Sequence, residues 1–424
     1  MQFSRFSMLL AGAFAASLAT AAPAPAASGV TRIELSHQLD EERATRVEPL
    51  IEAFNAQNKD VQVVLVRRVE GDAPKHLNLV NREDHARLVA AKARFRPIHE
   101  IMREVKQPVD TARISPELRD GMVDAKGQLA GLPLAFATPV LYVNREAFRK
   151  AGLNPDAPPK SWAEVQDTAG KLYVSGSTCP FTTSWPAWVH VDNMSAWNGA
   201  DVADSKGQLA INGLVQIKHV AMLATWYKAK YFSYFGRRDE ADRRFASGEC
   251  AMLTSSSWLY STLLGEKGLD FSVAQLPYHD DVYGAPKNTL ADGLALWAGQ
   301  GMKRDETRAV ARFVNYILGP EVQLEMTVAG GFLLMTPVAR AAAGSKLLKG
   351  DVAALQVSYS QLNGRSMAPA LRVSQTDRVR LIVEEELEAV WENRKPAKEA
   401  LDHAVRRGNA VMAPVVTSSK KKRS

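Results

Sequence analysis

The 424-residue sequence holds only two cysteines, Cys179 and Cys250, and aromatic residues make up just 8% of it. So little cysteine excludes a disulfide-scaffold protein and a Cys-rich zinc domain. The pair suits an oxidising compartment in which the two thiols either bond or lie buried, and the sequence leaves both open. Past residue 22 no apolar run is long enough to cross a bilayer. The body also lacks an excess of one charge. Removing Arg5 and the terminal Lys420, Lys421, Lys422 and Arg423 from the formal +7 leaves +2. A nucleic-acid partner needs a basic face on the folded domain, so none is expected.

Catalytic signatures are missing too. The eight histidines, His37, His76, His85, His99, His190, His219, His279 and His403, form no H-E-x-x-H and no Cys/His metal spacing. No G-x-G-x-x-G or Walker loop is present, and Ser255–Ser257 has no G-x-S-x-G elbow around it. His279-Asp280-Asp281 is the best metal-like triplet, yet after Pro277 it reads more simply as a polar loop. No catalytic residue, metal ligand or cofactor is therefore assigned.

What is present begins with a leader. Met1–Arg5 is a short basic start, Ser7–Ala22 is apolar, and Ala21–Ser28 is small and Pro-spaced with several Ala-x-Ala choices. This layout predicts a cleavable secretory signal over residues 1–27 and a mature protein in the periplasm. A chain this long, with 46% hydrophobic and 23% charged residues, is a globular protein of two or more lobes.

Val30–Leu35 reads as a strand. Val47, Leu50, Ile51 and Phe54 then recur at i, i+3, i+4 and i+7 as one face of a helix, with Pro49 marking a late start or a kink. Val61–Val66 is a buried strand, so a parallel α/β unit opens the chain. Leu132–Val143 is apolar and broken by Pro133 and Pro139, and Ser161 with Glu164 forms a capping box before the next helix. Cys250–Leu253, Phe271–Leu276 and Leu294–Trp297 read as short strands. Val379, Ile382, Val383, Leu387, Val390 and Trp391 form the apolar stripe of a final long helix, whose Glu384–Glu386 and Glu388 predict a solvated face.

Several residues suit capture of a small polar solute. Trp185 and Trp188 in SWPAW offer aromatic faces to the C–H side of a polyol or sugar, although core packing is the commoner use of tryptophan. Ser255–Ser257, between a strand and a plausible helix, could supply hydroxyls and backbone N–H groups to an anion, or only an ordinary N-cap. Arg380 offers a planar fork to a phosphate or carboxylate, with Arg372 and Arg378 close by in sequence.

Longer segments carry a resemblance. Thr138–Val165 (TPVLYVNREAFRKAGLNPDAPPKSWAEV) resembles the first inter-lobe crossover of the extracellular solute-binding proteins of bacterial ABC importers. Met194–Gly199, Ile217–Leu223, Phe232–Asp242, Gly248–Ser257 and Leu371–Asn409 are similar to the glycerol-3-phosphate-binding branch of that family. The resemblance implies an α/β, two-lobed periplasmic binding fold of type II, with ligand in the cleft and crossover strands as hinge. The lobes would comprise residues 28–138 with 286–337, and 139–285 with 338–412, and residues 413–424 would be a disordered basic tail. It implies a monomer that delivers a small-molecule ligand to the permease subunits of an ABC importer. Family ligand positions fall at Glu83 for the glycerol hydroxyls, Trp185 and Trp188 for stacking, Ser256 at the helix start, Gly293 at a strand entry and Arg380 for the phosphate.

Three family hydroxyls are missing: a tyrosine from the shortened stretch between Val66 and Glu83, a serine replaced by Ala137, and a tyrosine replaced by Phe332. Each could contribute about 1–3 kcal/mol to holding a charged ligand. The expected ligand is sn-glycerol 3-phosphate or a glycerophosphodiester. A sugar-binding relative of the same fold, a periplasmic phosphodiester hydrolase, and a degenerate paralogue acting as an adaptor remain alternatives.

Overall fold

The computed structural model describes residues 29–37, 41–67, 75–81, 95–119, 122–124, 126–347, 353–362 and 376–412. The expected signal peptide, Glu83 and the basic tail all lie outside these residues.

The apolar patterning sorts the chain into two sheets. In the first, β1 (Thr31–His37) pairs in parallel with β2 (Val61–Arg67) and β3 (Leu77–Asn81), giving the order β2-β1-β3-β11. Strand β11 (Asp292–Gly299) runs antiparallel to β3 on one side. On its other side it meets β5 (Leu132–Ala137) and β4 (Phe95–Arg96). The helix Glu41–Gln57 runs through Pro49 without a late start and buries Val47, Leu50, Ile51 and Phe54 against this sheet. Each such buried side chain contributes about 1.5–3 kcal/mol relative to exposure.

The second sheet has the order β10-β6-β9-β7-β8, built from β6 (Pro139–Asn144), β7 (Cys179–Thr183), β8 (Phe232–Ser233), β9 (Cys250–Ser256) and β10 (Phe271–Gln275). Strand β6 alternates with the two-residue strand period, sending Leu141 and Val143 into one core and Val140 and Tyr142 into another. Parallel pairing puts Cys179 opposite Cys250 with Cα atoms 4.6 Å apart, and the two are bonded. That decides the alternative the sequence left open. The capping box forms as expected: the Ser161 hydroxyl accepts from the Glu164 N–H, and the Glu164 carboxylate accepts from Ser161.

Two chain passages join the sheets, one of a single residue and one longer. Strand β5 passes into β6 through Thr138, and β10 passes to β11 through residues 276–291. Thr138 exchanges hydrogen bonds with Ser257, its N–H donating to the Ser257 hydroxyl and its carbonyl accepting from the Ser257 N–H. Gln361, on the helix Ala353–Gln361, donates to Thr138 and Pro139 and accepts the Leu276 N–H at 2.7 Å. One buried amide thus ties both passages to a third segment. The helix Pro337–Leu347 sends Ala339 and Ala343 into the core around the first sheet.

The face expected to be solvated on the helix Thr376–Trp391 is not. Glu386 is 3% exposed and pairs with Lys395 and Arg407 at 2.6 and 2.8 Å. Glu385 pairs with Arg407, and Glu388 with Arg237. The reason is long-range packing: the helix Ala397–Met412 covers one side of this helix, and the segment 234–238 approaches another.

Candidate binding site

The helix Thr376–Trp391 begins with polar residues and then buries Val379, Ile382 and Val383, which turns Arg380 toward the space between the sheets. Its Nη2 lies 3.2 Å from Asp292 Oδ2 and 3.4 Å from Asp192 Oδ2. Asp292 is the first residue of β11, in the first sheet, whereas Asp192 and Arg380 belong to elements packed on the second. Arg380 therefore stands where the lobes meet, 20% exposed at its side chain.

Asp192 is placed by a π-helical segment, Trp188–Asn193, that continues into the helix Met194–Asn198. The Asn193 amide anchors this segment to the second passage, accepting from the Leu290 N–H at 2.8 Å and donating to the Leu290 carbonyl at 3.3 Å. Trp197 Nε1 donates to Thr289 Oγ1 at 2.8 Å. These bonds hold residues 289–292 beside residues 192–197, so both aspartates approach one guanidinium.

A second set of charges adjoins it along the same helix. Glu384 stands one turn beyond Arg380, and burial pushes its carboxyl up to about 7, against the opposing pull of Arg380, Arg238 and Arg237. Glu388, one turn further, accepts from the Tyr234 hydroxyl at 2.8 Å and pairs with Arg237, which holds its carboxyl below the usual range.

The expected tryptophan pair divides. Trp185 has a left-handed φ of +53° and is only partly buried, with the Arg238 guanidinium 6.0 Å from its ring centre. Trp188 is 6% exposed and lies in the second core, which leaves little ring face for stacking; its indole N–H has no hydrogen-bond partner among the described residues.

Ser256 ends β9 and does not start a helix. The next helix begins at Leu259 and is six residues long, and the Ser256 hydroxyl accepts from the Trp258 N–H at 3.2 Å. Gly293 has a packing reason to be glycine, because a Cβ there would come within 1.9 Å of the Ala135 carbonyl on neighbouring β5. Ala137 and Phe332 are both buried, and Phe332 packs edge-on against Trp258 at 5.4 Å. An apolar ring thus fills one place where the family hydroxyl was expected.

Sequence reasoning did not find Asp192, Asp292, Asn193, Arg237, Arg238 or Glu384 as individual site residues. Asp292 adjoins Gly293, but its approach to Arg380, 88 positions away, is made by tertiary packing that no local pattern shows. His279-Asp280-Asp281 forms no metal centre: His279 Nε2 meets His219 Nδ1 at 3.0 Å, and Asp281 pairs with Lys218. No group of three metal-ligating residues occurs among the described residues.

Comparison with known proteins decides the family. The profile of the family described as "Bacterial extracellular solute-binding protein" matches residues 49–355. The chain belongs to this family. It is 33% identical over 419 residues to the sn-glycerol-3-phosphate-binding periplasmic protein UgpB of Escherichia coli O6:K15:H31, covering 93% of this chain and 95% of that protein. Its UgpB counterpart in Salmonella typhimurium is 32% identical over the same coverage. Among solved structures, UgpB from Mycobacterium tuberculosis in complex with glycerophosphocholine superposes with a TM-score of 0.76 at 18% identity, over 90% of this chain and 98% of that one. Maltose-bound T. maritima MalE3 superposes with a TM-score of 0.73 at 15% identity, over 90% and 100%. The fold is that of type II periplasmic binding proteins, and this solute-binding protein is a UgpB-like component of an ABC importer. No helix among the described residues is long and apolar enough to cross a membrane.

Proposed function

We propose that this solute-binding protein captures sn-glycerol 3-phosphate or a glycerophosphodiester in its inter-lobe cleft and delivers it to the permease. A cleavable signal over residues 1–27 would export it, and it would act as a monomer without catalysis. The observation that carries this reading is the partly exposed Arg380 guanidinium at the meeting of the two lobes. A guanidinium fork matches the spacing of two phosphate oxygens, and lobe closure over it removes water and strengthens the charged contacts. Trp185 would lie on the carbon skeleton, Ser256 would donate its hydroxyl, Gly293 would let the ligand approach the strand entry, and Glu83 would accept from glycerol hydroxyls.

Titration calorimetry on protein freed of co-purified ligand tests this. Heat is expected with sn-glycerol 3-phosphate or glycerophosphocholine, and Arg380→Ala should weaken it about a hundredfold or more. A second reading, a neutral oligosaccharide, is favoured by the losses at Ala137 and Phe332 and by the likeness to a maltose-bound structure. Maltose binding that survives Arg380→Ala, with no heat from either phosphate compound, would overturn the first reading in favour of the second.

A further inference from the structure

Arg380 meets two carboxylates, not one. Asp192 and Asp292 both reach its Nη2, and their side chains are as little exposed as its own, at 16% and 19%. Neither is a chance surface contact. The other oxygen of Asp292 accepts the Gly293 N–H at 2.7 Å, which fixes the carboxylate plane, and Asn193 clamps the Asp192 segment to Leu290 two residues ahead of Asp292. The neighbouring Arg237 is engaged by Glu388, and Arg238 stands by Trp185 and Glu384. Arg237, Arg238 and Arg380 thus face Asp192, Asp292 and Glu388 in equal number, before Glu384 is counted.

A phosphate that reaches Arg380 must therefore come close to two fixed negative charges in a partly dehydrated site. The penalty grows with the phosphate's own charge. A monoester dianion meets it twice over; a phosphodiester carries one negative charge, and one with a cationic head group offers a positive charge to whichever carboxylate is displaced. We propose that Asp192 and Asp292 are specificity-determining residues, internal competitors for Arg380 that bias the cleft against dianionic phosphates and toward phosphodiesters. The inference rests on the phosphate reading given above and deepens it.

The test measures affinities for sn-glycerol 3-phosphate at pH 8, where it is a dianion, and for glycerophosphocholine. It compares wild type, Asp192→Asn, Asp292→Asn and the double variant. Asparagine keeps the acceptor that Gly293 uses and removes only the charge. Each single variant should tighten the monoester about tenfold relative to the diester, with the gain shrinking at high salt. Near-ultraviolet circular dichroism checks folding, and Asp192→Asn carries the prediction alone should Asp292→Asn unfold.

If wild type binds either compound and the ratio of affinities stays within twofold in all variants, the inference is wrong and the phosphate reading stands. If wild type binds neither but the double variant gains the monoester, the inference is supported. Binding by none of the four proteins overturns both.

Discussion

Two polar clusters lie two residues apart on the same π-helical segment, at His190 and at Asp192, and they differ in almost every other respect. His190, His219 and His279 form a hydrogen-bonded row, each step 3.0 Å between ring nitrogens, packed against Trp162 and Phe181. Burial lowers the proton affinity of all three, His190 to about 3 and His219 well below its ordinary value. The cluster around Arg380 is partly open to solvent and carries full charges in pairs. Depth accounts for the contrast: a fully dehydrated group sheds its charge, whereas a half-hydrated one keeps it when a partner is near. Only the second cluster carries charge at a partly exposed place between the lobes, and the first is a neutral packing group on the same segment.

The largest effect that could break this contrast is acidification. In the unfolded chain these histidines titrate near 6.5, but in the folded protein they stay neutral well below that. Their contribution to stability is complete above pH 6.5 and is lost as pH falls, by roughly 2 kcal/mol for His190 by pH 5, with His219 acting in the same direction. Urea unfolding at pH 7 and pH 5 measures it, best in a Glu384→Gln background because Glu384 acts in the opposite sense over the same window. Equal stability at the two pH values in that background would mean that the row accepts protons and resembles the charged cluster after all.

Next in size is Glu384 itself. Its folded pKa of about 7 lies above the ordinary 4.5, so the folded protein holds this proton more tightly than the unfolded chain. The carboxylate's penalty is absent below pH 4.5, grows as pH rises and is complete above about 7. Glu384→Gln should therefore be more stable than wild type at pH 8, on the order of 3 kcal/mol, with the difference vanishing toward pH 4.5. A thermal unfolding series across that range checks the slope. A variant less stable than wild type at pH 8 would show that the three nearby arginines outweigh burial.

Much of the scaffold around these clusters was legible, for local reasons. The apolar stripe Val379–Trp391, the Ser161 capping box and the strand-helix-strand opening follow from spacing within a few residues of one another. The resemblance to solute-binding proteins pointed to Arg380 as well. Pairings made at a distance were not legible. Glu386 suits an exposed face by local pattern because its partners, Lys395 in the following turn and Arg407 on the next helix, lie further along the chain. Asp192 is 188 positions from Arg380, and no periodicity links them. Three consecutive serines suit a helix cap, but pairing with Pro139 draws Ser256 into β9 instead. Trp188 shows the same limit, since an aromatic suited to a ligand and one suited to a core are the same residue.

The smallest expected effect sharpens the comparison at the edge of the charged cluster. Tyr234 donates to one Glu388 oxygen while Arg237 holds the carboxylate from its own side, and burial beside that carboxylate makes the phenol harder to ionise. Tyr234→Phe removes the hydroxyl and keeps the ring that packs on the second core. Because Arg237 and solvent still serve Glu388, the loss should be only about 1 kcal/mol, that of a single hydrogen bond to a partly hydrated charge. Chemical denaturation at pH 7 reads this, and carboxylate chemical shifts should show the Glu388 pKa moving up toward its ordinary value. A much larger loss, comparable to that of neutralising a buried partner, would place Glu388 with the imidazole row as a structural group rather than with the partly exposed charges around Arg380.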